Sequence, residues 1–234
     1  MNKQIIDFID NLCLPKGIGS FLTPYANIKV YNRKNFEHVK TKKRVLLIGS
    51  GFDNEIESGE LRDILKLSNK IARELVKRSN LVAMSGCCSD FSVPSMVIDQ
   101  LKKMNPNYPT FGISRYDKLP LTLKYAKLSR LHDVILYSGH TKLNLPKKYE
   151  FVIADLVHVM MADYVISIHG STGTNHELSI AYELQKPVGF ITGYGGVTDI
   201  HPRVVASINT EGRKSVRAMS HKNPKKVIDW LLSQ

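Results

Sequence analysis

Short apolar runs, each followed by a polar loop and then by a helical stretch, recur along this chain, and few folds accept that alternation. The runs Arg44–Gly49 (RVLLIG), Leu81–Met84, Thr110–Ser114, Asp133–Ser138, Tyr164–Ile168 and Val188–Ile191 have the length and β-branched content of buried strands. Between several of them lie stretches with apolar residues at helical spacing: Glu60–Arg78, Val93–Lys103, Phe151–Met161 and a segment holding Leu178, Ala181 and Leu184. A helix near Asp199–Ser207, a short strand near Ser215–Met219 and a terminal helix with Pro224 in its first turn complete the series. Asn144–Glu150 reads as a loop, and Arg115–Leu131 as a basic, irregular connection.

Strands apolar on both faces need cover on both faces. The sequence therefore predicts an α/β fold: a Rossmann-like, doubly wound, mainly parallel sheet with helices on each side. Right-handed crossovers place the C-terminal ends of all parallel strands on one rim, where ligands bind in such sheets. Four loops should meet there: Gly49-Ser50-Gly51, Ser85–Asp90 (beginning Ser85-Gly86), Gly170–Thr174 and Gly193–Gly196. The third is the most informative. Gly170-Ser171-Thr172-Gly173-Thr174 follows a strand and opens a helix, so free backbone N–H groups and the positive end of the helix dipole coincide, as phosphate binding requires.

Residues 43–234 read as one domain, preceded by a 1–42 extension with a short amphipathic helix at Lys3–Leu12 and a break at Pro15, Gly17 and Gly19. No apolar run approaches the roughly 20 residues that span a bilayer, and the N-terminal stretch does not resemble a secretory signal. Cys13, Cys87 and Cys88 form neither a disulfide framework nor a CxxC pair. Adjacent cysteines seldom converge on one ion, so Cys87 and Cys88 are expected as free thiols, with no metal and no cofactor assigned. Together these features imply a cytoplasmic protein without membrane contact.

The formal net charge is +12, which raises nucleic acid as a partner. The basic residues, however, are spread out; Arg213–Lys226 holds six and no acid, without the interleaved aromatics of a single-strand stacking platform. A solvated basic surface that attracts anionic small molecules is the preferred reading.

The run Gly170-Ser171-Thr172-Gly173-Thr174-Asn175-His176-Glu177, with Ala162-Asp163 before it and Lys186-Pro187-Val188 after it, resembles the P-G-G-x-G-T-x-x-E signature of Lonely Guy-type proteins. It also resembles the wider SLOG superfamily of Rossmann-like nucleotide-binding domains, over about residues 43–232. The resemblance implies a homodimer that binds a small-molecule nucleotide. For the hydrolases of the family it implies cleavage of the N-glycosidic bond of a nucleoside 5′-monophosphate, releasing base and ribose 5-phosphate. Some relatives are instead molybdenum-cofactor carriers, nucleotide sensors or proteins that hold single-stranded DNA. The sequence departs from the pattern in four places: His169 replaces Pro, Ser171 replaces the second Gly, no Arg stands near Ala154-Asp155, and the second glycine-rich motif survives only as Ser85-Gly86-Cys87-Cys88-Ser89-Asp90.

Glu177 matches the motif Glu and is the candidate catalytic carboxylate, suited to steadying ribose hydroxyls or oxocarbenium-like charge. Gly49, Ser50, Gly51, Ser85, Gly86, Gly170, Ser171, Thr172, Gly173 and Thr174 are the candidate nucleotide- and phosphate-binding residues. His169 and His176 flank the loop and are the nearby candidates for an acid/base role. His158, three residues after Asp155, permits a local pair on one helix. Lys147 and Lys148 are the cations nearest in sequence to the absent Arg. The competing functions are phosphoribohydrolase, non-catalytic nucleotide or cofactor carrier or sensor, and single-stranded nucleic-acid binder.

Overall fold

The structure is a computed structural model that describes residues 26–32, 42–50, 58–86, 92–114, 131–141, 148–212 and 215–234. Eight strands form one sheet: β1 (Ala26–Asn32), β2 (Lys43–Gly49), β3 (Leu81–Gly86), β4 (Thr110–Ser114), β5 (Val134–Thr141), β6 (Tyr164–Ile168), β7 (Val188–Ile191) and β8 (Ala218–Ser220). Their order is β1-β5-β4-β3-β2-β6-β7-β8. Every pairing is parallel except β1 with β5, which is antiparallel at the edge. The helices are α1 (Ser58–Val76), α2 (Val93–Met104), α3 (Lys148–Met161), α4 (Thr172–Glu183), α5 (His201–Thr210) and α6 (Pro224–Leu232). A 3-10 turn, Val197–Asp199, precedes α5.

The period-two alternation within each strand assigns the two faces. Val45 and Leu47 of β2 point into one core, with Ile64, Leu67, Ile71 and Leu75 of α1, Val97 and Leu101 of α2, and Val227 and Leu231 of α6. Leu46 and Ile48 point into the other, with Val157 and Met161 of α3, Leu178 and Ala181 of α4, and Val205 of α5. In both cores each fully buried Leu, Ile or Val contributes about 1.5–3 kcal/mol relative to exposure. The chain therefore folds as the Rossmann-like, doubly wound α/β domain that the alternation predicts.

Several boundaries shift. The stretch Lys148–Glu150, expected as loop, opens α3; α5 starts two residues and β8 three residues later than periodicity suggests, while α6 starts at Pro224 as expected. Lys3–Leu12, Gly51, Cys87, Cys88, most of Arg115–Leu131 and Lys147 lie outside the described residues.

The strand order reverses at β2, which has β3 on one side and β6 on the other. In open parallel sheets this switch point is where a crevice forms beyond the strand ends. The opposite end of the same strand pair is bolted shut. Arg44 donates to Asp163 through its backbone N (2.7 Å), Nε (3.1 Å) and a terminal guanidinium nitrogen (3.2 Å), and Asp163 N returns a bond to Arg44 O at 2.9 Å. Charge-assisted bonds of this fork type are strong and directional, so they hold the register of β2 on β6 and with it the spacing of the loops at the rim.

Candidate functional site

The switch-point crevice is bridged by Ser50, just past β2. Its Oγ accepts from Gly170 N at 3.1 Å and lies 2.8 Å from His169 Nδ1. Ser50 O also accepts from Val93 N at 3.0 Å, which ties the first turn of α2 to the same point. Ser50 thus links β2, α2 and the β6–α4 loop.

His169 occupies the left-handed region at φ 57°, a costly conformation for a residue with a Cβ. Its carbonyl accepts from Thr198 N at 3.1 Å and from Thr198 Oγ1, and Gly170 O accepts from Val197 N at 3.0 Å. Thr198 Oγ1 is itself 2.6 Å from Ser167 Oγ. The 3-10 turn therefore clamps the loop from the far side and holds His169 in its strained geometry.

The glycines of the rim have different causes. A Cβ on Gly49 would lie 2.4 Å from Ile168 O, so that glycine is required by the close approach of β6 backbone. Gly170, at φ +102°, leaves no room for a side chain against Thr174. Gly173 is the contrast: a Cβ there would meet nothing within 4 Å. Among the described residues, the first turn of α4 has nothing packed over it at this position.

Backbone accounting sharpens the point. Ser171, the N-cap of α4, makes no side-chain capping bond, and the first amide of the helix to find an acceptor is Asn175 N, bonded to Ser171 O at 2.9 Å. The amides of Thr172, Gly173 and Thr174 have no acceptor among the described residues. Ser171, Thr172 and Gly173 are exposed, while Thr174 is buried. The neighbouring Gly193–Gly196 loop behaves differently: Asp199 takes Gly193 N at 2.7 Å and Gly195 N at 2.9 Å on its two carboxylate oxygens. An internal anion already fills that nest. Ser85 is fully buried, its Oγ 2.9 Å from His132 Nε2, and Gly86 pairs with Ile113 of β4. The structure thus gathers Gly49, Ser50 and Gly170–Thr174 at one point, with Ser85 and Gly86 beyond β2 on its other side.

Glu177 lies one turn further along α4 and faces α3. Its Oε1 is 3.0 Å from His158 Nδ1. Beside it, His176 Nδ1 lies 2.8 Å from Asp155 Oδ2. Asp155 and His158 therefore pair across the helix interface with α4, not with each other. Burial pushes the Glu177 carboxyl above the ordinary carboxylate range, against the opposing pull of the His158 hydrogen bond. His158 is itself buried and comes from the same face of α3 as Ala154, four residues earlier. This histidine, not an arginine, meets the motif carboxylate.

On the opposite side of α4 a cavity of about 430 Å³ runs between α4 and α5, lined in part by Asn175, Tyr182, His201, Val204, Ile208 and Val216. His201 is buried against Phe190, with ring centroids 6.2 Å apart. The Asn175 side-chain oxygen can only accept, so His201 Nε2–H donates to it (2.8 Å), and His201 Nδ1 accepts from Tyr182 OH (2.6 Å). Burial holds the His201 pKa below that of an ordinary histidine. Sequence reasoning missed this network and the Asp155–His176 pair, because both join residues about twenty positions apart in side-chain geometry that no spacing rule encodes.

No curated protein matches the chain. Solved structures with a similar fold include the structural-genomics target TM1055, at TM-score 0.59 and 20% identity over 80% of this chain and 99% of that one. The single-stranded-DNA-binding DNA processing protein A from Helicobacter pylori has TM-score 0.59 and 17% identity, covering 88% and 86%. The molybdenum cofactor binding protein from Rippkaea orientalis has TM-score 0.55 and 19% identity, covering 82% and 96%. At these identities the likeness is one of fold. Among the described residues no helix is long and apolar enough to cross a membrane. Residues 135–228, which include the β6–α4 loop, Glu177 and its partners on α3, match the SLOG cluster4 family model.

Proposed function

We propose that the domain binds a nucleoside 5′-monophosphate at the β2–β6 switch point, with the phosphate on the amides of Thr172, Gly173 and Thr174. The observation that carries this is the set of three helix-terminal N–H groups without an internal acceptor, beneath the open space at Gly173. Amides so arranged supply hydrogen bonds and the positive helix end together. Gly170 and Ser171 shape the turn, while Ser50 and Gly49 hold it against β2. Titration calorimetry of the full chain with AMP tests the reading, with inorganic phosphate as the comparison; saturable binding that phosphate competes for supports it.

A second reading adds chemistry at Glu177. Its position one turn below the phosphate loop, with an elevated pKa, favours a carboxyl that meets the ribose and stabilises the charge that develops as the N-glycosidic bond breaks. Water then adds at the anomeric carbon, and the base leaves with the proton. Incubation with AMP should release adenine and ribose 5-phosphate, and Glu177→Ala should abolish the release. Binding without any release leaves the non-catalytic carrier or sensor in its place.

A further inference from the structure

The α3–α4 interface holds four polar side chains that neither the hydrophobic core nor the phosphate loop requires. Asp155 and His158 project from one face of α3; His176 and Glu177 come from the first turns of α4. One donor atom each from Asp155, His158 and Glu177 lies within 4.8 Å of the other two. We propose that Asp155, His158 and Glu177 form a binding site for one divalent transition-metal ion of the zinc or manganese class. The inference goes beyond the nucleotide reading and does not depend on it.

The donor chemistry supports that class. One imidazole nitrogen with two carboxylate oxygens suits zinc, manganese or ferrous iron, and excludes the soft-metal preference that thiolates confer. Ligand pairs around an ion bound at about 2.1 Å sit about 3.0–3.4 Å apart. His158 Nδ1 and Glu177 Oε1 already stand at 3.0 Å, and a donor atom of Asp155 lies within 4.8 Å of each. Three protein ligands leave coordination positions open, the arrangement of a site that also takes water or substrate.

The surroundings fit a metal centre better than a surface ion pair. The side chains of His158, Glu177 and Asp155 are 3%, 13% and 18% exposed. Two carboxylates brought together at that depth repel each other, and a cation between them offsets the cost. His176 bonds Asp155 at 2.8 Å from outside the trio, as an outer partner that orients a ligating carboxylate. His158 turns Nδ1 toward the trio, while its buried Nε2 has no hydrogen-bond partner among the described residues.

The test is titration of the metal-stripped full chain with zinc chloride or manganese chloride alone, without nucleotide, by calorimetry and by thermal unfolding. The expected result is one ion bound per chain and a raised Tm. Asp155→Asn and Glu177→Gln, which keep side-chain shape, should each weaken binding at least about tenfold. Asp155 is partly exposed, so Asp155→Asn remains informative even where a change at His158 disturbs folding. Absence of binding by the wild-type chain, or binding unchanged in both variants, overturns the proposal. Because no nucleotide is present, that failure is distinct from a failure to bind AMP.

Discussion

His158 Nδ1 on α3 stands 3.0 Å from Glu177 Oε1 on α4. The carboxylate that follows the Gly170–Thr174 turn is therefore held by a histidine from the helix that precedes β6. Ala154, one turn before His158 on the same face, is too short to reach it. The carboxylate thus meets an imidazole nitrogen across the α3–α4 interface.

The two glycines of the site separate packing from ligand contact. Gly49→Ala drives a Cβ to 2.4 Å from Ile168 O and should lower unfolding stability by about 1–3 kcal/mol, measured by urea titration. Gly173→Ala meets no neighbour and should leave stability within about 0.5 kcal/mol or raise it slightly, alanine being the better helix former. The same Gly173→Ala change should weaken AMP binding if phosphate approaches the backbone there. Unchanged affinity in that variant would place the ligand elsewhere.

Ser50→Ala removes an acceptor from Gly170 N and a partner from His169. Leaving those groups unmatched should cost about 1–3 kcal/mol in a denaturant titration. Since the loss falls on the loop, AMP affinity should drop with it. A stability loss with full affinity would mean that the latch does not shape the binding loop.

Arg44→Ala strips the fork from Asp163 at the end of the sheet away from the rim. Removing one partner of a largely buried pair typically costs about 3–5 kcal/mol. Ligand affinity per folded molecule should be unaffected. Equilibrium unfolding and calorimetry on the same preparation check both halves.

The depressed pKa of His201 has a defined pH consequence. In the unfolded chain this histidine takes up a proton near its ordinary value of 6.5; in the folded chain it does so at lower pH. The stability it confers is therefore complete above about pH 6.5 and is lost as pH falls through the folded value. His201→Gln should flatten that part of the stability–pH profile. An identical profile in the variant would show that the Tyr182–His201–Asn175 network does not titrate as described.

The fold was legible because its signals are local. The apolar run RVLLIG at 44–49 and the helical spacing of Leu61 to Leu75 need only a few neighbouring residues to be read. The turn at Gly170–Thr174 that opens α4 was legible for the same reason. The side-chain pairs were not. Ser50 meets His169 across 119 positions and His176 meets Asp155 across 21; a spacing rule offers Asp155 and His158 as partners of each other, whereas packing of α3 on α4 redirects both. Gly49 shows a subtler limit. A glycine after the first strand suggests ligand approach, but it is the backbone of β6 that comes close.

The most direct measurement is calorimetric titration of the full chain with AMP, run in parallel on Gly173→Ala. Saturable, phosphate-competed binding by the wild type, weakened by the alanine Cβ, is the predicted result. No heat of binding from AMP, or binding indifferent both to phosphate and to Gly173→Ala, would contradict a nucleotide site on the first turn of α4.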